Sequence, residues 1–227
     1  MTTYVLVHGA WHGGWCWRQV AARLREAGHE VYTPTLTGLG ERAHLASPDI
    51  GLRTHVDDIT GLLTCEDLRE VVLVGHSYAG LVVREAADRM PGRVSQIVLV
   101  DAWAGRDGES LDDLAPEFFR EWVESVTVDG LLATPPPAMV GVTKPEQVEW
   151  LEAKLTPQPR LTFSEPTRLT GAVDAIRCRT VLCSPKGPMP FARLAGEHGW
   201  PATILDVGHD AMVTAPRELA DILLGDA

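Results

Sequence analysis

One stretch of the chain is built to present a serine. In Val71-Val72-Leu73-Val74-Gly75-His76-Ser77-Tyr78-Ala79-Gly80 an apolar run leads into the serine, and a segment with helical spacing follows. A serine on a sharp strand-to-helix turn exposes its hydroxyl above a sheet, and the strained turn admits only small residues two positions either side. Gly75 and Ala79 fill those positions and Gly80 comes next, so the strict G-x-S-x-G pattern is softened at its last place. The bare pattern arises by chance in about one chain in ten, given glycine and serine each at roughly 7% of residues. The strand before it and the helix after it give it its weight. Ser77 is the candidate nucleophile.

A serine nucleophile needs a base and a site for the developing oxyanion. After the first apolar run the sequence reads Val7-His8-Gly9-Ala10-Trp11-His12-Gly13-Gly14. A glycine-rich strand-to-helix loop leaves backbone N–H groups free to hold an anion. Where a nucleophile elbow is present, one donor comes from such a loop and the other from the residue after the nucleophile. These are the N–H groups of Ala10 and Tyr78. A phosphate loop is disfavoured, because neither G-x-G-x-x-G nor Gly-Lys-Ser/Thr occurs there. Of the eight histidines, His209 alone lies on a Gly-flanked loop, Val207-Gly208-His209-Asp210, between the last strand and the last helix. That is the chain order for a base serving Ser77. His8, His12 and His76 flank the expected pocket as candidate substrate contacts. His29, His44, His55 and His198 read as surface or structural.

These residues need a sheet to position them. Strand-like runs at Tyr4–His8, Glu30–Thr33, Val71–Val74 and Val94–Val100 alternate with helical spacing at Trp15–Ala27, Arg53–Cys65 and Ser77–Met90. Near-continuous apolar strands alternating with helices imply a parallel sheet covered on both faces. The rhythm breaks after Asp101. From Trp103 to about Thr170 the text is proline-rich and irregular, with Pro135-Pro136-Pro137 at its centre and helical pieces at Leu111–Glu124 and Lys144–Lys154. A structureless loop of that length is improbable in a compact domain, so a small helical cap is expected. Alternation returns with strand Arg179–Ser184, helix Phe191–His198, strand Ala202–Val207 and helix Pro216–Leu224. The expectation is a single α/β domain with a mainly parallel sheet of about six strands flanked by helices. Residues 1–101 and 171–227 form its core, and 102–170 the inserted cap. Trp11, Trp103, Phe118, Phe119 and Trp122 are candidates for an apolar, aromatic pocket lining under that cap.

Composition narrows the function. The 227 residues, 45% hydrophobic and 22% charged, suit one globular domain. A formal net charge of −11 argues against nucleic acid and anionic membranes, which reward basic faces. Cys16, Cys65, Cys178 and Cys183 lack metal spacing and read as free, mostly buried thiols. No basic-then-apolar leader opens the sequence, and no apolar run approaches the roughly 20 residues of a membrane span. A cytoplasmic protein without cofactor or metal is expected, with a small-molecule substrate; a homodimer is left open.

The segments VHGAWHGGWCW, TPTLTGLGER, VVLVGHSYAG and GHDAMVTAPRELA resemble the α/β-hydrolase family of plant methylesterases and hydroxynitrile lyases, with its bacterial relatives. The likeness spans nearly the whole chain, the cap least of all. It implies the α/β-hydrolase fold, Ser77 as nucleophile, His209 as base, and Ala10 and Tyr78 as oxyanion donors. The lyases of that family use a threonine and a lysine where this sequence has Gly9 and Asp210, which favours an esterase. The family's acid normally follows the strand before the last, yet the loop here, Cys183-Ser184-Pro185-Lys186-Gly187-Pro188-Met189-Pro190, has no carboxylate. Asp101, at the end of Ile97-Val98-Leu99-Val100, is the favoured replacement, as in other α/β-hydrolases with the acid after this strand. Asp206 is the second candidate, too near His209 in sequence to reach its outer nitrogen well, and Asp210 is expected to face the helix start. The expected reaction is cleavage of a carboxylic ester of a small-to-medium apolar or aromatic substrate through an acyl-enzyme. Two alternatives stand beside it: a non-hydrolytic lyase, cyclase or acyl transferase on the same scaffold, and a binding protein with a vestigial site.

Overall fold

The computed structural model describes residues 1–183 and 187–225. Six strands form one wholly parallel sheet: β1 (Thr3–Val7), β2 (Glu30–Tyr32), β3 (Val71–His76) and β4 (Val94–Val100), then β8 (Arg177–Leu182) and β9 (Ala202–Ile204). Between β4 and β8 lie three two-residue strands, β5 (Thr127–Val128), β6 (Leu131–Leu132) and β7 (Gln158–Pro159). The helices in chain order are α1 (Arg18–Glu26), α2 (Leu52–Cys65), α3 (Ala79–Arg89), α4 (Leu111–Leu114), α5 (Glu117–Ser125), α6 (Pro145–Glu152), α7 (Leu161–Ser164), α8 (Phe191–Glu197), α9 (Ala211–Thr214) and α10 (Pro216–Leu224).

The strand order is β2-β1-β3-β4-β8-β9. The chain runs outward one way from β1 and the other way from β3. Loops at the carboxyl ends of β1 and β3 therefore diverge and leave a crevice, the usual ligand position in open parallel sheets. Strand residues alternate between two cores. Val5, Val7, Leu73, Ile97 and Leu99 pack with α2 and α3. Tyr4, Leu6, Val72, Val74, Val98 and Val100 pack with Val20, Leu24, Leu219 and Leu223 of α1 and α10. The central strands are buried on both faces, which is why they read as continuous apolar runs.

The segment between β4 and β8 differs from the expectation. It is not purely helical, because β5, β6 and β7 form a small antiparallel sheet. Pro159 is tolerated there on an edge strand, where its missing N–H costs no ladder bond. The helix expected over Leu111–Glu124 is two helices, α4 and α5. Pro116 separates them, holding Ala115 extended at ψ 142°. Pro137 opens a 3-10 turn, Pro137–Val140. The first expected helix begins as a 3-10 turn, Gly14–Trp17, before α1. The last strand is short: beyond Ile204 the Leu205 and Val207 N–H groups still reach the Leu182 and Cys183 carbonyls, but Val207 N–H is shared with the Leu205 carbonyl. No helix among the described residues is long and apolar enough to cross a membrane. All four cysteines are free; Cys65 is exposed and the others are buried.

Candidate active site

Ser77 sits at the end of β3 with φ 53°. That left-handed conformation is strained for a residue with a Cβ. Three backbone bonds hold it: Ser77 N–H donates to the Val100 carbonyl at 3.1 Å, and the Ser77 carbonyl accepts from Trp103 N–H at 3.0 Å and from Gly80 N–H at 3.1 Å. A Cβ on Gly75 would lie 2.7 Å from Val83 Cγ2 and 2.8 Å from the Ala79 carbonyl oxygen. A Cβ on Gly80 would collide with the Trp103 carbonyl oxygen. The tight approach thus falls at position 80, which lets position 79 carry alanine.

His209 lies on the loop after β9, stacked on Phe191 with ring centroids 5.4 Å apart and planes 8° apart. The chain between β4 and β8 fixes this loop: Asp210 N–H donates to the Val140 carbonyl at 3.0 Å. Gly141, at φ 80°, packs directly on Gly208, so neither position has room for a side chain. The carboxylate behind His209 is Asp101. Its Oδ2 lies 3.1 Å from His209 Nδ1, and its Oδ1 accepts the Cys183 N–H at 2.8 Å. Asp101 also adopts a left-handed φ of 42° and is 3% exposed. With Nδ1 engaged, Nε2 is the His209 nitrogen left for Ser77. Among the described residues no hydrogen bond joins Ser77 to His209; such contacts commonly tighten only when substrate binds. Asp206 is exposed. Asp210 corrects its expectation: it stands before α9 but its side chain caps nothing. The carboxylate turns inward, fully buried, to His12 Nε2 at 2.9 Å.

Among the described residues neither Ala10 N–H nor Tyr78 N–H donates to a protein acceptor. Both stand where loops leave the central strands β1 and β3. The Tyr78 ring points into the core, and its hydroxyl donates to His55 Nδ1 at 2.9 Å. Burial lowers the His55 pKa to about 4, so it stays neutral and able to accept. Gly9 lies against Ser77: a Cβ there would sit 2.7 Å from His76 Nδ1 and 3.0 Å from Ser77 Cβ.

A cavity of about 270 Å³ opens beside Ser77 and His209. Ser77, His209 and Asp101 line it with Trp11, Trp103, Phe119 and Trp122. That is just below the usual span of ligand pockets, roughly 300–1,000 Å³. Four expected pocket residues are elsewhere. Phe118 is 50% exposed on α5, one position out of phase with the buried Phe119. His12 and His76 are buried behind the wall and spent on internal bonds: His12 to Asp210 and the Ala10 carbonyl, His76 Nε2 to the His209 carbonyl at 3.0 Å. His8 is likewise internal. Sequence reasoning did not include Met139, Met189 and Phe191 in the wall. Phe191 opens α8 after the altered loop, and nothing local in its sequence marked it. A larger cavity, about 550 Å³, lies between Arg84, His198 and Trp200. Its one thiol, Cys178, is raised to about 12 by burial and is no nucleophile at neutral pH.

Among the described residues, His76, His209 and Asp210 bring ligand atoms within 4.8 Å of one another. His209 Nδ1 is committed to Asp101 and His76 Nε2 to a carbonyl, so the arrangement serves hydrogen bonding better than metal binding.

Residues 4–222 match the family described as the alpha/beta hydrolase family. Over 98% of its length the chain is 39% identical to a carbendazim hydrolyzing esterase of Nocardioides sp. (strain SG-4G), covering 98% of that protein. It is 25% identical to methylesterase 10 of Arabidopsis thaliana over 97% of this chain and 90% of that one. A solved extracellular alpha/beta-hydrolase from a Paenibacillus species, described as a structural and functional homologue of tobacco salicylic acid binding protein 2, superposes with TM-score 0.89. It is 24% identical, with 99% of this chain and 98% of the other covered. Tomato methylketone synthase I superposes with TM-score 0.84 at 20% identity, with 99% and 97% covered. These two share the fold.

Proposed function

The chain belongs to the alpha/beta hydrolase family and is a carboxylic ester hydrolase, and we propose that it works through an acyl-enzyme on Ser77. Ser77 Oγ attacks the ester carbonyl and its proton passes to His209 Nε2. Asp101 accepts from Nδ1, which fixes the tautomer and stabilises the imidazolium. The oxyanion takes hydrogen bonds from the N–H groups of Ala10 and Tyr78. The C–O bond to the leaving group breaks, and the departing alkoxide takes the proton from His209. Water, deprotonated by His209, then attacks the acyl carbon and releases acid and free Ser77. The single observation that carries this reading is Asp101 at 3.1 Å from His209 Nδ1, in a cavity shared with Ser77.

The lining favours a neutral, flat acyl group. Trp11, Trp103, Phe119, Trp122 and Phe191 supply aromatic faces, and no Lys or Arg is among the described lining residues to pair with a substrate anion. We take the segment 102–170 as a cap closing over that group. Carbendazim and small aryl methyl esters are the first substrates to try, given the relative named for carbendazim hydrolysis. The lyase alternative loses ground because Gly9 has no room for a side chain beside Ser77. The test is turnover of a chromogenic acetate ester and of carbendazim by wild type and Ser77→Ala. Wild-type turnover lost in the variant supports the proposal; equal turnover by both overturns it.

A further inference from the structure

The groups that hold the Ala10 N–H in place are themselves titratable. That N–H belongs to the Gly9–Ala10 peptide, whose carbonyl oxygen lies 2.8 Å from His8 Nδ1. His8 Nε2 lies 3.0 Å from Leu36 N–H, which can only donate. The His8 proton is therefore on Nδ1, and His8 donates to the Gly9 carbonyl as a neutral imidazole. Burial agrees, lowering its pKa to about 3.

The next peptide, Ala10–Trp11, is held at both ends. Its N–H donates to Gln158 Oε1 at 3.0 Å, and buried Gln158 is fixed by Thr162 Oγ1 at 2.8 Å. Its carbonyl oxygen lies 2.7 Å from His12 Nδ1. His12 Nε2 faces Asp210 Oδ2 at 2.9 Å. Both ring nitrogens face acceptors, so both carry protons and His12 is an imidazolium. Burial alone would lower its pKa, but the charge and hydrogen bond of Asp210 raise it further and prevail. Asp210 is fully buried, and a buried carboxylate without a cation would be costly. Trp11, between these anchors, takes a left-handed φ of 64°, a conformation that persists only where surroundings enforce it.

We propose that His8 and His12 are positioning residues that brace the two peptides flanking Ala10, His8 as a neutral donor and His12 as an imidazolium paired with Asp210. The proposal rests on reading Ala10 as an oxyanion donor. A hydrogen bond accepted by a peptide carbonyl polarises the N–H of the same unit, so His8 strengthens the donor as well as aiming it. Through Asp210, the neighbour of His209, His12 also ties the oxyanion loop to the histidine loop.

Nitrogen-detected NMR of the wild-type histidine rings at neutral pH is the first test. His12 is expected with both nitrogens protonated and His8 with Nδ1 alone; a neutral His12 or an Nε2-protonated His8 overturns the proposal. Kinetics is the second. His12→Leu removes the donor, whereas His12→Asn keeps an N–H near the Nδ1 position. Removing an oxyanion donor outright costs about 10²–10³ in kcat, so misaiming one is expected to cost roughly 10–100-fold. His12→Leu should lose that much kcat with KM within about threefold, and His12→Asn should recover most of it. Equal kcat in the two variants and wild type, measured below their melting temperatures, would overturn it. If Ser77→Ala keeps full turnover, the acyl-enzyme reading fails while the ring protonation states stand, so the two failures are distinguishable.

Discussion

Replacing Asp101 with asparagine changes one atom and tests the relocated acid. Asp101 Oδ2 and His209 Nδ1 are 3.1 Å apart, and Asp101 is 3% exposed. A carboxylate at that distance from an imidazolium is worth about 5 kcal/mol at an effective dielectric constant near 20. That corresponds to about ten-thousandfold in rate, similar to the cost of removing a triad's acid. The asparagine oxygen can still accept the Cys183 N–H, which turns its NH₂ toward His209 Nδ1. The ring then carries its proton on Nε2, the wrong nitrogen for a base. Initial rates on a chromogenic ester should show kcat lowered about 10⁴-fold at nearly unchanged KM and melting temperature. Asp206→Asn, at an exposed residue, should stay within about threefold of wild type. If Asp101→Asn keeps a tenth of wild-type activity, the carboxylate is not the third member of the site.

Three further outcomes follow. Trp122→Ala removes a cavity wall that packs edge-on to Trp11 at 5.8 Å, and should raise KM for aryl esters about tenfold; Phe118→Ala, outside the wall, should leave it unchanged in the same assay. His8 at about 3 and His55 at about 4 are neutral when folded and protonate on unfolding below about 6.5. Their contribution is full above pH 6.5 and falls by about 1.4 kcal/mol per pH unit for each as pH drops toward 4. His12, raised, is protonated in both states there and does not offset this. Urea midpoints at pH 7, 6 and 5 read the slope, and a flat profile contradicts the assignment. Gly141→Ala forces a side chain against Gly208 at a left-handed φ; it should cost about 1–3 kcal/mol by denaturant unfolding and lower kcat by shifting His209.

What the sequence showed followed the strength of local constraint. The elbow was legible because a strained φ at Ser77 and close packing at Gly75 and Gly80 dictate residue type within ten positions. The sheet was legible because β3 and β4 are buried on both faces and admit little but apolar residues. The irregular segment was not, since two-residue strands such as β5 and β6 carry no periodicity. Phe118 and Phe119 could not be told apart from composition; only the phase of α5, set by the break at Pro116, decides which faces the cavity. Asp101 was legible as a strand-end carboxylate, but its reach to His209 depends on contacts 108 residues apart. Asp210 misled because a residue before a helix usually caps it. Here a buried cationic partner from the far end of the chain outcompetes the backbone. The loop that lacks the family's usual acid includes residues 184–186, outside the described residues.

Whether Ser77 carries the acyl group is read out by rapid mixing of enzyme with a chromogenic ester. A burst of leaving group approaching one equivalent per chain is expected when deacylation is the slower step, with quenched protein gaining the acyl mass on the Ser77 peptide. Asp101→Asn should show a slowed burst and Ser77→Ala none. Steady turnover by wild type with no adduct on Ser77 under acid quench, or an adduct on another residue, would contradict it.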